Sequence, residues 1–320
     1  MVVQDPVERR PRTSPLDACL RAAWRTHAML LPLLHATDPI KPSNTCVNLQ
    51  VLWLKALAGA RGETSDDLSY RFLPKKGRIL ISRPLCWLYP PWHHTTIARR
   101  TRFIDETLNE LVRDAEVRGT PLHFVTVGAG FDTRPLRLGG GEHSWVEVDL
   151  PAVVEQKRRM LSRLTRARPW LAPRTPELRA ADLSTASGRA VVYSAAAGAP
   201  NGSPSVVFVC EAVLMYLPER RARELLQTCG RFQGAHVVFA DRLPGSIEDR
   251  TEAVGALQSA GLTLRNWEIN SNVRARRRGS SRHGQIVMAA HRAGDARALK
   301  LAGARVSAAR HMGLAVAGEF

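Results

Sequence analysis

The sequence predicts an α/β protein with a doubly wound, mostly parallel sheet of seven strands, and three observations predict it. Short apolar runs such as Leu122–Val127 and residues 205–210 alternate with helix-length amphipathic stretches. The runs are apolar at consecutive positions, as strands covered by helices on both faces must be. Four runs also end in a glycine or an acid, at Gly128 with Gly130, Asp149, Asp182 and Glu211. In such a sheet, ligands bind beyond the carboxyl ends of the strands.

In chain order, residues 1–42 form a Pro- and Arg-rich arm with room for a helix over 16–34. Residues 43–118 form a helical cap segment. Within it, 47–58 reads as an apolar-faced helix ended by Gly59. Pro74, Pro84, Pro90 and Pro91 punctuate 74–92 and predict loop. A helix over Thr95–Arg118 places Ile97, Ile104, Leu108, Leu111 and Val112 on one side and stops at Gly119. The sheet domain follows over 119–293. Its first strand is Leu122–Val127, its second Ser144–Asp149, and Pro151 opens a helix to about residue 164. Residues 177–182, 205–210 and 235–240 give three more strands, with a helix over 217–232 between the last two. Residues 262–269 and 285–291 supply the remaining pair. Residues 294–320 are rich in Ala, Gly and Arg and predict a flexible or weakly helical tail.

Composition excludes several classes. Among 320 residues, 44% are hydrophobic and 23% charged, which fits neither a disordered chain nor a collagen-like repeat. Cys19, Cys46, Cys86, Cys210 and Cys229 are scattered, with no C-x-x-C pair. That argues against a disulfide framework or structural zinc and for a reducing compartment. No apolar stretch reaches the roughly 20 residues needed to span a bilayer. Asp5, Glu8 and Asp17 speak against a signal peptide, so a cytoplasmic location is expected, with organelle targeting by the Arg-containing N-terminus as the alternative. The formal charge is +17, and between residues 265 and 310 eleven basic residues accompany only Glu268 and Asp295. The arginines at 274–278 read as a solvated loop or a site for an acidic partner. No aromatic residue is interleaved with them, which weakens a nucleic-acid reading.

The strand ends build the site. Glycines at 128 and 130 let the backbone approach a ligand closely. Thr133 occupies the place of the third glycine of a dinucleotide fingerprint, which disfavours a nicotinamide-dependent oxidoreductase. Asp149 can accept from ribose hydroxyls or serve as a helix cap. Asp182 can accept from an adenine amino group or stabilise a turn. Glu211, beside a buried strand, needs a positive partner, and a ligand ammonium is a candidate. Arg99, Arg100 and Arg102 precede the first strand, and one of them can grip a carboxylate with two hydrogen bonds. A nucleoside carrying an amino-acid group satisfies the whole set, and S-adenosyl-L-methionine is such a ligand.

At these residues the chain resembles the leucine carboxyl methyltransferase family. VGAGFDTRPLRL at 127–138 resembles the family's GAGxDTxxxRL signature. WVEVDLP at 145–151 with Lys157, ADL at 181–183, CEAVLMYLP at 210–218 and IARRTRFID at 97–105 resemble four further blocks. The resemblance covers roughly 97–241. It implies a class I methyltransferase with a Rossmann-like sheet, using S-adenosyl-L-methionine. It puts Arg100 on the methionine carboxylate and Gly128 beneath the methionine portion, with Gly130 in the same turn. Asp149 is implied at the ribose, Asp182 and Leu183 at the adenine, Glu211 at the ammonium, and Lys55 near the cofactor. The implied reaction is in-line methyl transfer to a carboxylate, which is already ionised at neutral pH and needs no general base or metal.

The family's best-known acceptor is the C-terminal leucine carboxylate of the protein phosphatase 2A catalytic subunit. Other members act on small molecules, and one branch modifies tRNA. The N-terminal arm and Arg-rich end of this chain depart from the phosphatase-directed pattern. Tyr216 and Arg137 are candidates to orient an acceptor, against simpler roles in packing and in bracing the glycine turn. His93 and His94 either line the acceptor mouth or belong to a loop. The competing class is a methyltransferase-like scaffold that binds RNA through its basic surface.

Overall fold

The structure is a computed structural model that describes residues 42–79, 81, 86, 94–140, 142–199, 205–244, 250–270 and 285–292. The N-terminal arm with its helix at 16–34, His93, the arginines at 274–278 and the tail over 294–320 lie outside the described residues.

Among the described residues, four helices precede the sheet. Helix α1 is Pro42–Ala60, α2 Leu68–Phe72, α3 Lys75–Ile79 and α4 Thr95–Arg118. In α1, Leu49, Leu52, Trp53, Ala56 and Leu57 recur at helical spacing and are all buried. Helix α4 ends where Gly119, at φ 61°, turns its N–H back onto the carbonyls of Ala115 and Glu116. Helix α3 corrects part of the loop expected over 74–92. Pro74 precedes it and its carbonyl accepts from the Arg78 N–H at 3.1 Å, so this proline starts a turn of helix rather than breaking one.

The sheet strands are β1 Leu122–Val127, β2 Ser144–Asp149, β3 Glu177–Ala180, β4 Ser205–Glu211, β5 His236–Asp241, β6 Leu262–Asn270 and β7 Gln285–Arg292. Their order is β3-β2-β1-β4-β5-β7-β6. The first five pair in parallel, while β7 runs antiparallel to both β5 and β6. Helix α5 (Arg134–Leu138) follows β1 and α6 (Pro151–Ala167) follows β2. Helix α7 (Ala186–Ala197) follows β3, α8 (Glu219–Gly230) follows β4 and α9 (Arg250–Gln258) follows β5. Helix α8 starts and stops two residues inside the expected 217–232.

Both faces of the sheet are covered. Val125, Val148, Phe208 and Phe239 face α7 to α9, while Phe124, Val207, Val209 and Val238 pack against Ile104 and Leu108 of α4. A separate cluster joins Trp53 and Phe72 to Met160 and Leu161 of α6, so the helices before β1 are fastened to the sheet domain. Because side chains alternate across a strand, this double cover explains why every residue of β1 is buried.

Candidate functional site at the carboxyl edge of the sheet

The parallel register brings the four strand ends to one line. Val127 pairs with Val148 on one side and Cys210 on the other, so Gly128 lies level with Asp149 and Glu211. Asp149 pairs with Ala180, which leaves Asp182 two residues further out, and Glu211 pairs with Ala240. The glycine turn is fixed from both sides. Gly128 N–H donates to the Val148 carbonyl at 2.8 Å, and Gly130 N–H donates to the Asp149 carboxylate at 2.6 Å. The other Asp149 oxygen accepts from Leu150 N–H at 2.6 Å. Each oxygen therefore keeps a lone pair for a further donor. Burial raises the Asp149 pKa, opposed by the N–H groups of Gly130 and Leu150.

Glu211 is the hub of the site. Lys55 Nζ donates to its Oε2 at 2.9 Å, Arg134 Nη1 to the same oxygen at 2.6 Å, and Arg100 Nε to Oε1 at 2.7 Å. Arg134 is fully buried and also binds Asp105 and Asp132, each at 2.6 Å. Arg137 extends the cage, donating to Asp105 at 2.8 Å and to the Thr133 hydroxyl at 3.2 Å, with Asp66 at 3.4 Å. Four acids (Asp66, Asp105, Asp132 and Glu211) thus meet four bases (Lys55, Arg100, Arg134 and Arg137), which is how so many charges persist without solvent. Burial alone would raise the Glu211 pKa, but Lys55, Arg134 and Arg100 outweigh it and hold the carboxyl well below its ordinary range. Asp132 is depressed in the same way by Arg134 and Lys55 against its burial.

A hollow opens above this cage, with an empty volume of about 560 Å³ that includes solvent at its mouth. Asn48, Val51 and Lys55, one face of α1, line it together with Gly128, Glu211 and Tyr216. Tyr216 is 64% exposed at the rim. The expected residues divide accordingly. Lys55, Arg100, Gly128, Gly130, Glu211 and Tyr216 line the hollow, while Asp149 sits behind Gly130. Arg99 and Arg102 are exposed on α4. Asp182 is exposed and accepts from Ser184 N–H at 2.9 Å, a local turn, and Leu183 is buried; neither lines the hollow. Arg137 lies behind the turn with its guanidinium held by Asp105, so its position is that of a brace and not of an acceptor contact. His94 is buried with Nε2 2.8 Å from Glu63, away from the hollow.

Arg134, Asp132 and Asp105 fall inside the blocks at 127–138 and 97–105, but the sequence alone assigns them no role of their own. Ala212, next to Glu211, adopts φ 54°, a conformation rare outside glycine and concentrated at functional sites.

Beneath the turn, Lys157 of α6 lies 2.5 Å from Glu147 of β2, and both are buried. Burial outweighs the ammonium and pushes the Glu147 pKa up from 4.5 to about 7. The native state then binds a proton that the unfolded state lacks between those values. Stability is therefore expected to fall as pH rises from about 4.5 to about 7. One proton contributes a slope of at most about 1.4 kcal/mol per pH unit. Denaturant unfolding at steps of pH should show Glu147→Gln flattening that slope; an unchanged slope would contradict the assignment.

Among the described residues no group of His, Cys, Asp and Glu could hold a metal, and no helix is long and apolar enough to cross a membrane. No curated protein matches the sequence. Solved structures resemble it at low identity. Magnesium protoporphyrin IX methyltransferase from Synechocystis, solved with bound SAM, is 14% identical over 62% of this chain and 83% of its own, with a TM-score of 0.42. The N-methyltransferase NodS from Bradyrhizobium japonicum is 12% identical over 60% and 88%, with a TM-score of 0.36. PigF with SAH is 13% identical over 87% and 100%, with a TM-score of 0.38. At such scores these likenesses carry no functional weight. The family model is different in kind, because it matches residues 63–230, more than half of the chain, and includes the glycine turn, Asp149 and Glu211. On that match the chain belongs to the leucine carboxyl methyltransferase family.

Proposed function

We propose that the protein is an S-adenosyl-L-methionine-dependent methyltransferase that methylates a carboxylate oxygen. The observation that carries the reading is the alignment of the glycine turn and Glu211 at one hollow at the carboxyl edge of the sheet, with Asp149 directly behind the turn. The residues present fit the cofactor. Asp149 keeps acceptor capacity on both oxygens for ribose hydroxyls. Glu211 is held ionised, so it can take an ammonium. Arg100 and Lys55 stand beside it at the hollow and can take a carboxylate. Asp182 and Leu183, at the end of β3, are assigned to the adenine side. The charge-balanced cage matters here, because the ligand's amino-acid group brings one ammonium and one carboxylate, equal and opposite charges, to it.

The cofactor supplies a methyl group on a positively charged sulfur. The chain's own contribution is to position the partners and exclude water, since a carboxylate acceptor arrives ionised and in-line placement supplies much of the rate. Tyr216 at the rim and Val51 on the wall are placed to meet the acceptor. The acceptor we assign is a protein C-terminus or a small-molecule carboxylate. Cys86, Cys210 and Cys229 are free and buried, in keeping with a reducing, cytoplasmic setting.

Calorimetry with S-adenosylmethionine, S-adenosylhomocysteine and NAD tests the cofactor, and binding of NAD alone would overturn the reading. Asp149→Ala should weaken S-adenosylhomocysteine binding by about 1–3 kcal/mol, the usual cost of unpairing buried hydrogen-bonding groups. Affinity unchanged by that substitution would remove Asp149 from the site. Transfer of a radiolabelled methyl group into a lysate, followed by alkali, tests the acceptor. Base-labile counts support an ester, and counts in RNA would replace the carboxylate with a nucleic acid.

A further inference from the structure

Asp241 closes β5, beyond the pairing of Glu211 with Ala240, and its side chain is fully buried. Its carboxylate accepts four backbone N–H groups. Those of Val213 and Leu214 go to Oδ2, the second at 2.6 Å. Those of Met215 and Arg242 go to Oδ1, at 3.0 and 2.7 Å. Three of the four belong to consecutive residues of the segment that leaves β4. That segment turns sharply at Ala212, φ 54°, whose N–H still reaches the Ala240 carbonyl at 3.0 Å. It then presses Val213 against Gly128 and carries Tyr216 to the rim of the hollow.

We infer that Asp241 is a positioning residue for the methyl acceptor: it fixes the segment from Glu211 to Tyr216 and so sets the acceptor wall of the hollow. The inference rests on the proposed function. Asp241 does not line the hollow, so it acts through the backbone it holds. No other side chain could replace it easily. Three successive N–H groups pointing inward need one compact acceptor with two oxygens, and a neutral amide offers a single oxygen. Among the described residues, Cys210 of β4 feels its charge, Glu211 follows Cys210, and Arg242 is next in sequence. The carboxylate is stabilised by peptide N–H groups, and burial pushes its pKa up to about 6 against them. Protonation therefore falls within the range where such an enzyme works, and it removes acceptor capacity from the segment.

The test uses the full chain and its Asp241→Asn variant. S-adenosylhomocysteine affinity is measured by calorimetry, and label transfer from S-adenosylmethionine into lysate acceptors is followed from pH 5 to 8. Affinity should stay within about threefold, because Lys55, Arg100 and Arg134 hold Glu211 independently, while transfer falls by at least about tenfold. Wild-type transfer should drop below about pH 6 while affinity does not, and the variant should lose that acid limb. The protection factors of the Val213, Leu214 and Met215 amides, taken relative to intrinsic exchange at each pH, should fall in the variant, and in the wild type below pH 6. Transfer and exchange equal to wild type would overturn the inference alone, as would a loss of transfer in proportion to affinity. A wild-type protein that binds no S-adenosylhomocysteine would overturn the functional reading and this inference with it. If the variant does not fold, the wild-type pH profiles of transfer and amide exchange decide the matter.

Discussion

Replacing Glu211 with Gln is expected to lower the unfolding free energy by about 3–5 kcal/mol, the usual consequence of removing one partner from a buried ion pair. Saturable S-adenosylhomocysteine binding should be lost as well. The substitution conserves volume, so packing is not the cause. What changes is charge: Lys55, Arg100 and Arg134, exposed by only 6, 4 and 0%, lose the carboxylate on which they converge. Arg134 retains Asp105 and Asp132, so the deficit falls on the two cations that line the hollow. A pH series supplies the sign. The Glu211 carboxyl titrates well below 4.5, so its stabilisation is complete at neutral pH and is lost only as pH falls through that depressed value. Wild type and variant should differ fully at pH 7 and converge in strong acid. Denaturant unfolding at both conditions checks this, and a difference under about 1 kcal/mol at pH 7 would mean that the cage does not depend on Glu211.

The parallel core and its ligand edge were legible in the sequence because both are local properties. An apolar run ending in a glycine or acid marks a strand and its end, and parallel register then aligns the ends without further information. The 19-residue spacing from Gly130 to Asp149 is realised as a direct hydrogen bond. Direction is not local. Residues 285–291 read as a strand, but nothing in an apolar run announces that it pairs antiparallel to β5. Helix α7 was missed for a different reason. Its sequence, ASGRAVVYSAAA, is dominated by alanine and has little amphipathic contrast, so the clearest mark was its Thr185 cap, whose hydroxyl accepts from Gly188 N–H. The cage was illegible because its members are brought together from α1, the residues just before α2, α4, the β1–α5 turn, α5 and β4. An arginine such as Arg134 has no evident role until Asp105, Asp132 and Glu211 are found around it.

Gly128→Ala should be nearly as damaging, and it tests how the turn is built. Gly128 has φ 65°, which costs a residue with a Cβ about 1 kcal/mol or more. A Cβ there would also lie 2.4 Å from Val213 Cγ2 and 3.0 Å from Cγ1. Val213 cannot simply withdraw, because its own N–H and those of the next two residues are held by Asp241. Strain of this kind typically adds about 1–3 kcal/mol. Unfolding stability should therefore drop by about 2–4 kcal/mol, and cofactor affinity should fall with it as the turn is displaced from Asp149. Gly234→Ala separates the two causes. It shares a positive φ of 72° but has nothing within 4 Å of the added carbon, so it should show the conformational cost alone. The excess in Gly128→Ala is then the collision with Val213. In a Val213→Ala background that excess should shrink, giving a coupling energy of about 1 kcal/mol or more between the two sites. Strictly additive effects would show that the segment after β4 does not bear on the glycine turn, and the hollow would have to be held open by other contacts.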